Sequence, residues 1–219
     1  MKSCIILCGG RSRRMGQDKG LMVFEKKPLI IYLLETLQDI VDEIIVVFRD
    51  NEQLNSYKKP IDTYLFHHQK HAPSLRFAVD FQKDQGPLVG LITGLSSIKA
   101  NGALVLPCDS PFVSKQFITN IFNINEEHRP EEYNQEIKFQ AIIPTWPDGS
   151  LEPLHAYYHK DCIPFMEKQL KAGFRDVRSV LKVMNVNYIK VEVLDPERIS
   201  FTNLNRPEDL PSFNSYKKD

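Results

Sequence analysis

Two strand candidates, Ser3–Cys8 and Glu43–Phe48, carry the unbroken apolar runs Cys4-Ile5-Ile6-Leu7-Cys8 and Ile44-Ile45-Val46-Val47-Phe48. A strand with one face in water alternates apolar and polar residues. A strand that is apolar throughout has both faces covered, as in parallel sheets under crossover helices. Ala103–Pro107 has the same character. Helical stretches separate these runs. In Pro28–Ile40 the residues Leu29, Leu33, Leu34 and Leu37 share a face, and Pro28 suits a helix start. The pattern predicts further helices over Pro87–Ile98, from an N-cap at Ser114 through Phe122, over His159–Ala172 ending at Gly173, and over Asp176–Met184. It predicts strands over Phe139–Pro144 and Tyr188–Val193, with weaker candidates at Thr63–Phe66 and Phe77–Asp80. Asn123–Lys138 reads as an exposed, charged excursion, and Pro207–Leu210 as the start of a turn or short helix. The alternation predicts a three-layer α/β/α sandwich with a mostly parallel sheet. The expected division is one domain over residues 1–211 and a frayed tail over 212–219.

The first strand runs into Leu7-Cys8-Gly9-Gly10-Arg11-Ser12-Arg13-Arg14-Met15-Gly16-Gln17-Asp18-Lys19-Gly20. This stretch holds four of the chain's ten glycines and four cationic side chains. Glycines leaving a strand expose backbone N–H groups, and these with arginine and lysine suit phosphate oxygens. Neither the Walker spacing nor the Rossmann G-x-G-x-x-G is present. Taken alone, the stretch is also consistent with a basic surface loop. In a parallel α/β sheet, ligands bind beyond the carboxyl ends of the strands. That rule gathers the Gly9–Lys19 loop, Asp80 and Pro107-Cys108-Asp109 at one edge.

The 219 residues fit one α/β domain, and 42% apolar content is enough for a core. A formal net charge of zero argues against broad attraction to nucleic acid or anionic membrane. No apolar run approaches the roughly 18 residues of a membrane span. The first strand is too short, and lacks the cleavage pattern, for a signal peptide. Cys4, Cys8, Cys108 and Cys162 do not form a C-x-x-C pattern, and a reduced, cytoplasmic protein is expected.

Four more segments join the first motif in chain order: Gly86-Pro87-Leu88-Val89-Gly90, Pro107-Cys108-Asp109-Ser110-Pro111, Glu152-Pro153-Leu154-His155-Ala156, and Asn203-Leu204-Asn205-Arg206-Pro207-Glu208. Together they resemble the molybdenum cofactor guanylyltransferases. The first motif is similar to that family's L-x-G-G-x-S-x-R-M-G-x-D-K signature, and the others to its G-P-L-x-G, P-C-D-x-P, E-P-L-H-A and N-x-N-x-P-E. The resemblance implies a Rossmann-like nucleotidyltransferase fold. It implies transfer of GMP from GTP to the terminal phosphate of molybdenum-molybdopterin, with Mg2+, release of pyrophosphate, and formation of a guanine dinucleotide cofactor.

Carried over residue by residue, the resemblance implies that Leu7, Cys8, Gly9 and Gly10 hold the nucleotide through the backbone. Lys19 contacts phosphate, Asp80 contacts the nucleotide, Asp109 contacts the nucleotide and holds magnesium, and Asn205 lies near the metal. Lys19 and Arg14 stabilise charge as pyrophosphate departs. The family's nucleotide-contacting asparagine after the second strand has no clear match in Val47-Phe48-Arg49-Asp50-Asn51. Cytidylyl relatives resemble L-A-A-G where this chain has Leu7-Cys8-Gly9-Gly10; a second glycine, Gly10, removes a methyl and admits a larger purine. The expected partners are a molybdenum-insertion protein and reductase apoenzymes or their chaperones, with no nucleic acid and no membrane, and a monomer is the expected state. The alternatives are a cytidylyltransferase of the same cofactor, a nucleotidyltransferase on another phosphorylated acceptor, and a non-catalytic GTP-binding module.

Several residues have plainer readings. Asp109 between two prolines is a reasonable turn cap, Asp80 a solvated loop acid, and Arg11 and Arg13 surface charges. His155 reads as a packed histidine. His67-His68-x-x-His71 is a histidine cluster without an obvious cysteine or acid partner, so an exposed loop is the default over zinc. Cys108 adjoins Asp109 but pairs with no base.

Overall fold

The computed structural model describes residues 1–9, 18–67, 73–83, 85–127 and 139–204. In chain order the elements are β1 (Ser3–Leu7), β2 (Val23–Phe24), β3 (Lys27–Pro28), α1 (Leu29–Leu37), β4 (Glu43–Phe48), α2 (Asn51–His67), β5 (Ser74–Val79), α3 (Pro87–Ser97), β6 (Gly102–Pro107), α4 (Lys115–Glu127), β7 (Ala141–Thr145), β8 (Ala156–His159), α5 (Ile163–Lys171), α6 (Arg178–Leu181), β9 (Val186–Lys190) and α7 (Val191–Leu194). Among the described residues seven strands form one sheet in the order β5-β4-β1-β6-β8-β7-β9. The pairs β1–β4, β1–β6, β4–β5 and β7–β9 are parallel, and β8 alone runs against its neighbours. β2 and β3 form a separate small hairpin.

The apolar runs are explained by what covers each face. Cys4, Ile6, Ile44, Val46, Leu104 and Leu106 pack into one core with α1, α2 and α4. Ile5, Leu7, Ile45, Val47, Ala103 and Val105 pack into the opposite core with α3, α5 and α6. Successive residues of a strand point to opposite faces, so under two helical covers the central strands are apolar beyond their first residues, and the buried Ser3 and Glu43 that open β1 and β4 satisfy one another by a 2.8 Å hydrogen bond. This is the expected α/β/α sandwich.

Several expected elements differ. Thr63–Phe66 is not a strand but the last part of α2, whose buried residues Tyr57, Ile61 and Tyr64 recur at helical spacing. The expected helix from His159 gives way to the end of β8 and a 3-10 turn, Lys160–Cys162, before α5. α5 does stop at Gly173, which takes φ +92°. Tyr188–Val193 is half strand β9 and half helix α7. Asn123–Glu127, expected in an irregular excursion, completes α4. Ser114 caps α4 as expected, its Oγ accepting from Phe117 N at 3.0 Å. The tail 212–219 and the Pro207–Leu210 turn lie outside the described residues. Among the described residues no helix is long and apolar enough to cross a membrane.

Candidate active site

The chain runs from β1 outward through β4 and β5, then returns to the other side of β1 as β6. The crevice between the β1 and β6 carboxyl ends is therefore where the strand order reverses, the usual ligand position in such sheets. A cleft of about 850 Å³ opens there, within the size range of cofactor sites. Leu7, Cys8, Gly9, Lys19, Asp80 and Asp109, all singled out from the sequence, line it. Gly10, Arg14 and Asn205 lie outside the described residues, as do His68 and His71.

Backbone bonds between strand ends set the floor. Cys8 N donates to Val47 O at 2.9 Å, Cys108 N to Leu7 O at 3.1 Å, and Asp80 N to Phe48 O at 2.8 Å. At the centre Lys19 Nζ meets Asp109 Oδ2 at 2.8 Å. The two residues are 90 positions apart in sequence. Lys19 opens a 3-10 turn, Lys19–Leu21, pressed on the helix behind it; a Cβ on Gly20 would fall 2.5 Å from the Tyr57 hydroxyl. Only glycine allows that approach.

A buried glutamine that the sequence did not single out ties this corner together. Gln53 Nε2 donates to Cys8 O at 2.6 Å and to Asp18 Oδ2 at 2.7 Å, and Gln53 Oε1 accepts from Arg49 N at 2.7 Å. Tyr57 completes the hold on Asp18, donating to its Oδ1 at 2.8 Å. Asp50, in the segment where the expected asparagine has no match, caps α2 by accepting from Gln53 N at 2.9 Å. That hydrogen bond, with the Arg49 side chain 3.0 Å away, holds the Asp50 carboxyl below the usual aspartate range. Glutamine at the third residue of a charged helix has no motif to betray it.

Asp80 is a further charged group of this half. Burial pushes its carboxyl up to about 6, against a smaller opposing effect of the Thr93 hydroxyl. Its Oδ1 is closed to bulk water and has no hydrogen-bond partner within the protein. The solvated-acid reading is thereby replaced: a strand-end carboxylate is kept half-buried beside the cleft. α3 begins next to it, and a Cβ on Gly90 would lie 3.3 Å from Leu7 Cδ2 and 3.6 Å from Asp80 Oδ1. The small residue keeps the wall beside Asp80 open.

The far wall is the turn before β8. Glu152 and His155 line the cleft there, joined by Arg178 and Asn203. Burial acts to raise the Glu152 carboxyl, but the neighbouring His155, the Trp146 indole N–H bonded to it at 2.8 Å and the Arg178 charge outweigh it and lower it. His155 lies 2.9 Å from the Ser110 hydroxyl through Nε2, whereas His159 is bonded to Asn125 on α4. The two histidines thus have separate partners and form no metal pair. All four cysteines are buried and free. Burial first of all, then its contact with Cys108, drives the Cys8 thiol upward, away from nucleophilic use.

Among the described residues no cluster of three or more His, Cys, Asp and Glu side chains gathers as an all-protein metal site. Asp109, partly exposed at the cleft centre, fits a magnesium ion that keeps waters and takes its other ligands from substrate phosphates.

Residues 4–188 match the family described as the MobA-like NTP transferase domain. The chain belongs to this family. A protein of Methanosarcina mazei named "Probable molybdenum cofactor guanylyltransferase" is 33% identical, the match covering 100% of this chain and 92% of that protein. A protein of the same name from Methanothermobacter thermautotrophicus is 34% identical over 96% of this chain and 98% of its own. Among solved structures, molybdopterin-guanine dinucleotide biosynthesis protein A of Archaeoglobus fulgidus superposes with a TM-score of 0.74 at 25% identity, covering 98% of this chain and 97% of that one. The fold also extends to a 4-diphosphocytidyl-2C-methyl-D-erythritol synthase of Anaerococcus prevotii, with a TM-score of 0.67 at 16% identity, covering 99% and 97%. Membership in the MobA-like NTP transferase family makes this chain a nucleotidyltransferase.

Proposed function

We propose that this chain transfers GMP from GTP to the terminal phosphate of molybdenum-molybdopterin, releasing pyrophosphate. The observation that carries the reading is the Lys19–Asp109 pair, standing at 2.8 Å where the two halves of one cleft meet. One half presents strand-end backbone and a half-buried carboxylate, suited to a nucleotide. The other half, built on Glu152–His155, leaves room for an acceptor. The names of the full-length relatives supply the acceptor's identity.

An oxygen of the acceptor phosphate attacks the α-phosphorus of GTP. A Pα–O bond forms to the acceptor, and the bond to the β-phosphate oxygen breaks. Both reactants are anionic, so positioning and charge cancellation supply the catalysis, with no covalent enzyme intermediate needed. Magnesium on Asp109 would neutralise phosphate charge when bound. Lys19, drawn from its pairing with Asp109 toward the triphosphate, stabilises the departing pyrophosphate, a role shared with Arg14. Leu7, Cys8, Gly9 and Gly10 hold the nucleotide by their backbone, and Asn205 assists at the metal.

Asp80 favours guanine over cytosine in this reading. A carboxylate can accept from the N1–H and N2–H2 donors of guanine together, while cytosine offers a single donor group. The open wall at Gly90 suits the larger base. Delivery of a fragile cofactor implies contact with the protein that inserts molybdenum and with the reductase that receives the product.

The test is direct. Purified protein is incubated with Mg2+, molybdenum-molybdopterin and either GTP or CTP, and pyrophosphate is measured. GTP-dependent release with formation of the guanine dinucleotide is expected. Product with CTP alone would assign the chain to the cytidylyl branch. Turnover only with other phosphorylated acceptors would replace molybdopterin. Tight binding of Mg2+ and GTP without turnover would favour a binding module.

A further inference from the structure

The Asp109 turn is gripped by a buried clasp that the transfer chemistry does not use. Ser110 is fully buried. Its hydroxyl donates to Asn203 Oδ1 and lies 2.9 Å from His155 Nε2. A serine hydroxyl has one proton to give. With that proton on the Asn203 side, Ser110 Oγ accepts from His155 Nε2–H. The His155 ring is 1% exposed and packs edge-on against Phe201, with centroids 5.5 Å apart. Its other nitrogen, Nδ1, has no hydrogen-bond partner and lies 3.6 Å from Glu152 Oε2. The main chain is held as well, Leu204 N donating to Asp109 O at 2.9 Å.

These contacts come from places 45 and 93 residues away in sequence. Pro107 and Pro111 restrict their own φ angles but leave the Asp109 backbone free to turn. Asn203 and Leu204 hold the turn from one side and His155 from the other. The carboxylate is then the one part of Asp109 directed to the cleft and to Lys19.

We propose that Ser110, His155 and Asn203 are positioning residues that aim the Asp109 carboxylate at a divalent cation and so set the metal affinity of the nucleotide complex. The inference rests on the reading of Asp109 as the cation-holding residue. Loss of partners that orient a metal ligand commonly costs 10–100-fold in metal affinity. Because His155 belongs to the acceptor wall, the same clasp joins that wall to the metal position.

The experiment measures Mn2+ binding to the GTP complex by electron paramagnetic resonance, beside GTP binding without divalent cation and thermal unfolding. Ser110→Ala and His155→Phe are expected to weaken Mn2+ binding by about 10-fold or more, with cation-free GTP affinity within about twofold of the parent chain. His155→Gln, which keeps a donor near the Nε2 position, is expected to recover most of the loss. Should Ser110→Ala unfold at the assay temperature, the comparison of His155→Gln with His155→Phe decides. Unchanged Mn2+ binding in folded variants, equal loss of cation-free GTP binding, or no recovery in His155→Gln would overturn the proposal. So would a parent chain with no GTP-dependent Mn2+ signal. A parent chain whose Mn2+ binding weakens in the clasp variants yet that transfers no GMP would sink the transferase reading and leave the clasp supported.

Discussion

Replacing Asp80 by asparagine should stabilise the ligand-free protein while weakening its hold on GTP. Burial raises this carboxyl to about 6, roughly two units above an ordinary aspartate near 3.9. At about 1.4 kcal/mol per unit, the full penalty for carrying the charge at neutral pH is about 3 kcal/mol. The side chain is only half-buried, so solvent screening reduces the cost to about 1–2 kcal/mol. The sign follows from proton binding. The folded pKa lies above the unfolded one, so between pH 4 and pH 6, roughly, the folded state holds the proton more tightly. Stability from this group therefore rises as pH falls through about 6, and is level below about 4. Asp80→Asn removes the penalty above that window and changes little below it. For a chain of this size the gain at pH 7.5 is about 2–6 °C in Tm, shrinking towards zero near pH 4. Loss of charge-assisted hydrogen bonds to the base should weaken GTP binding by about 10–100-fold. GTP binding by the parent chain should also decline below about pH 6 as the proton competes. Calorimetric unfolding at the two pH values, with GTP titration at pH 7.5, provides the readout. A Tm at pH 7.5 at or below that of the parent chain would refute the electrostatic reasoning.

Two other substitutions probe the same cleft. Lys19→Ala and Asp109→Ala should each lower GMP transfer by about 100-fold or more, while the fold loses less than about 1 kcal/mol, since their ion pair is partly exposed; pyrophosphate release and urea unfolding measure both, and near-normal turnover in either variant would remove that residue from the mechanism. Gln53→Leu strands the Cys8 carbonyl, the Asp18 carboxylate and the Arg49 N–H together, which should cost about 2–4 kcal/mol and raise the KM for GTP more than it lowers kcat. Stability unchanged in urea would mean that water replaces the glutamine at no cost.

What could be read along the chain was what depends on short range. β1, β4 and β6 announce themselves because both their faces are covered, so each carries an unbroken apolar run. α1, α3 and Ser114 at the start of α4 follow from local periodicity and capping. Thr63–Phe66 misled because its aromatic and β-branched residues favour a strand in isolation. Within α2 Tyr64 continues a face begun by Tyr57 and Ile61, and tertiary burial outweighs local preference. β8 escaped notice because it is four residues long and is defined by partners on β6 and β7 rather than by a pattern of its own. Gln53 escaped for a related reason: its three contacts lie on three different segments.

The motifs carried the chemistry in advance. Glycines after a buried strand, a lysine, and an aspartate at the end of another strand are local features, so the expectation of a phosphate and metal site rests on residue types alone. The sheet order decided the rest. It set Lys19 against Asp109, kept Asp80 half-buried beside open cleft, and closed Ser110 between His155 and Asn203. Distances and desolvation are properties of the whole assembly. A carboxylate raised to about 6, or a histidine bonded to a serine 45 residues away, exists only once separate strands have brought their ends to the same edge.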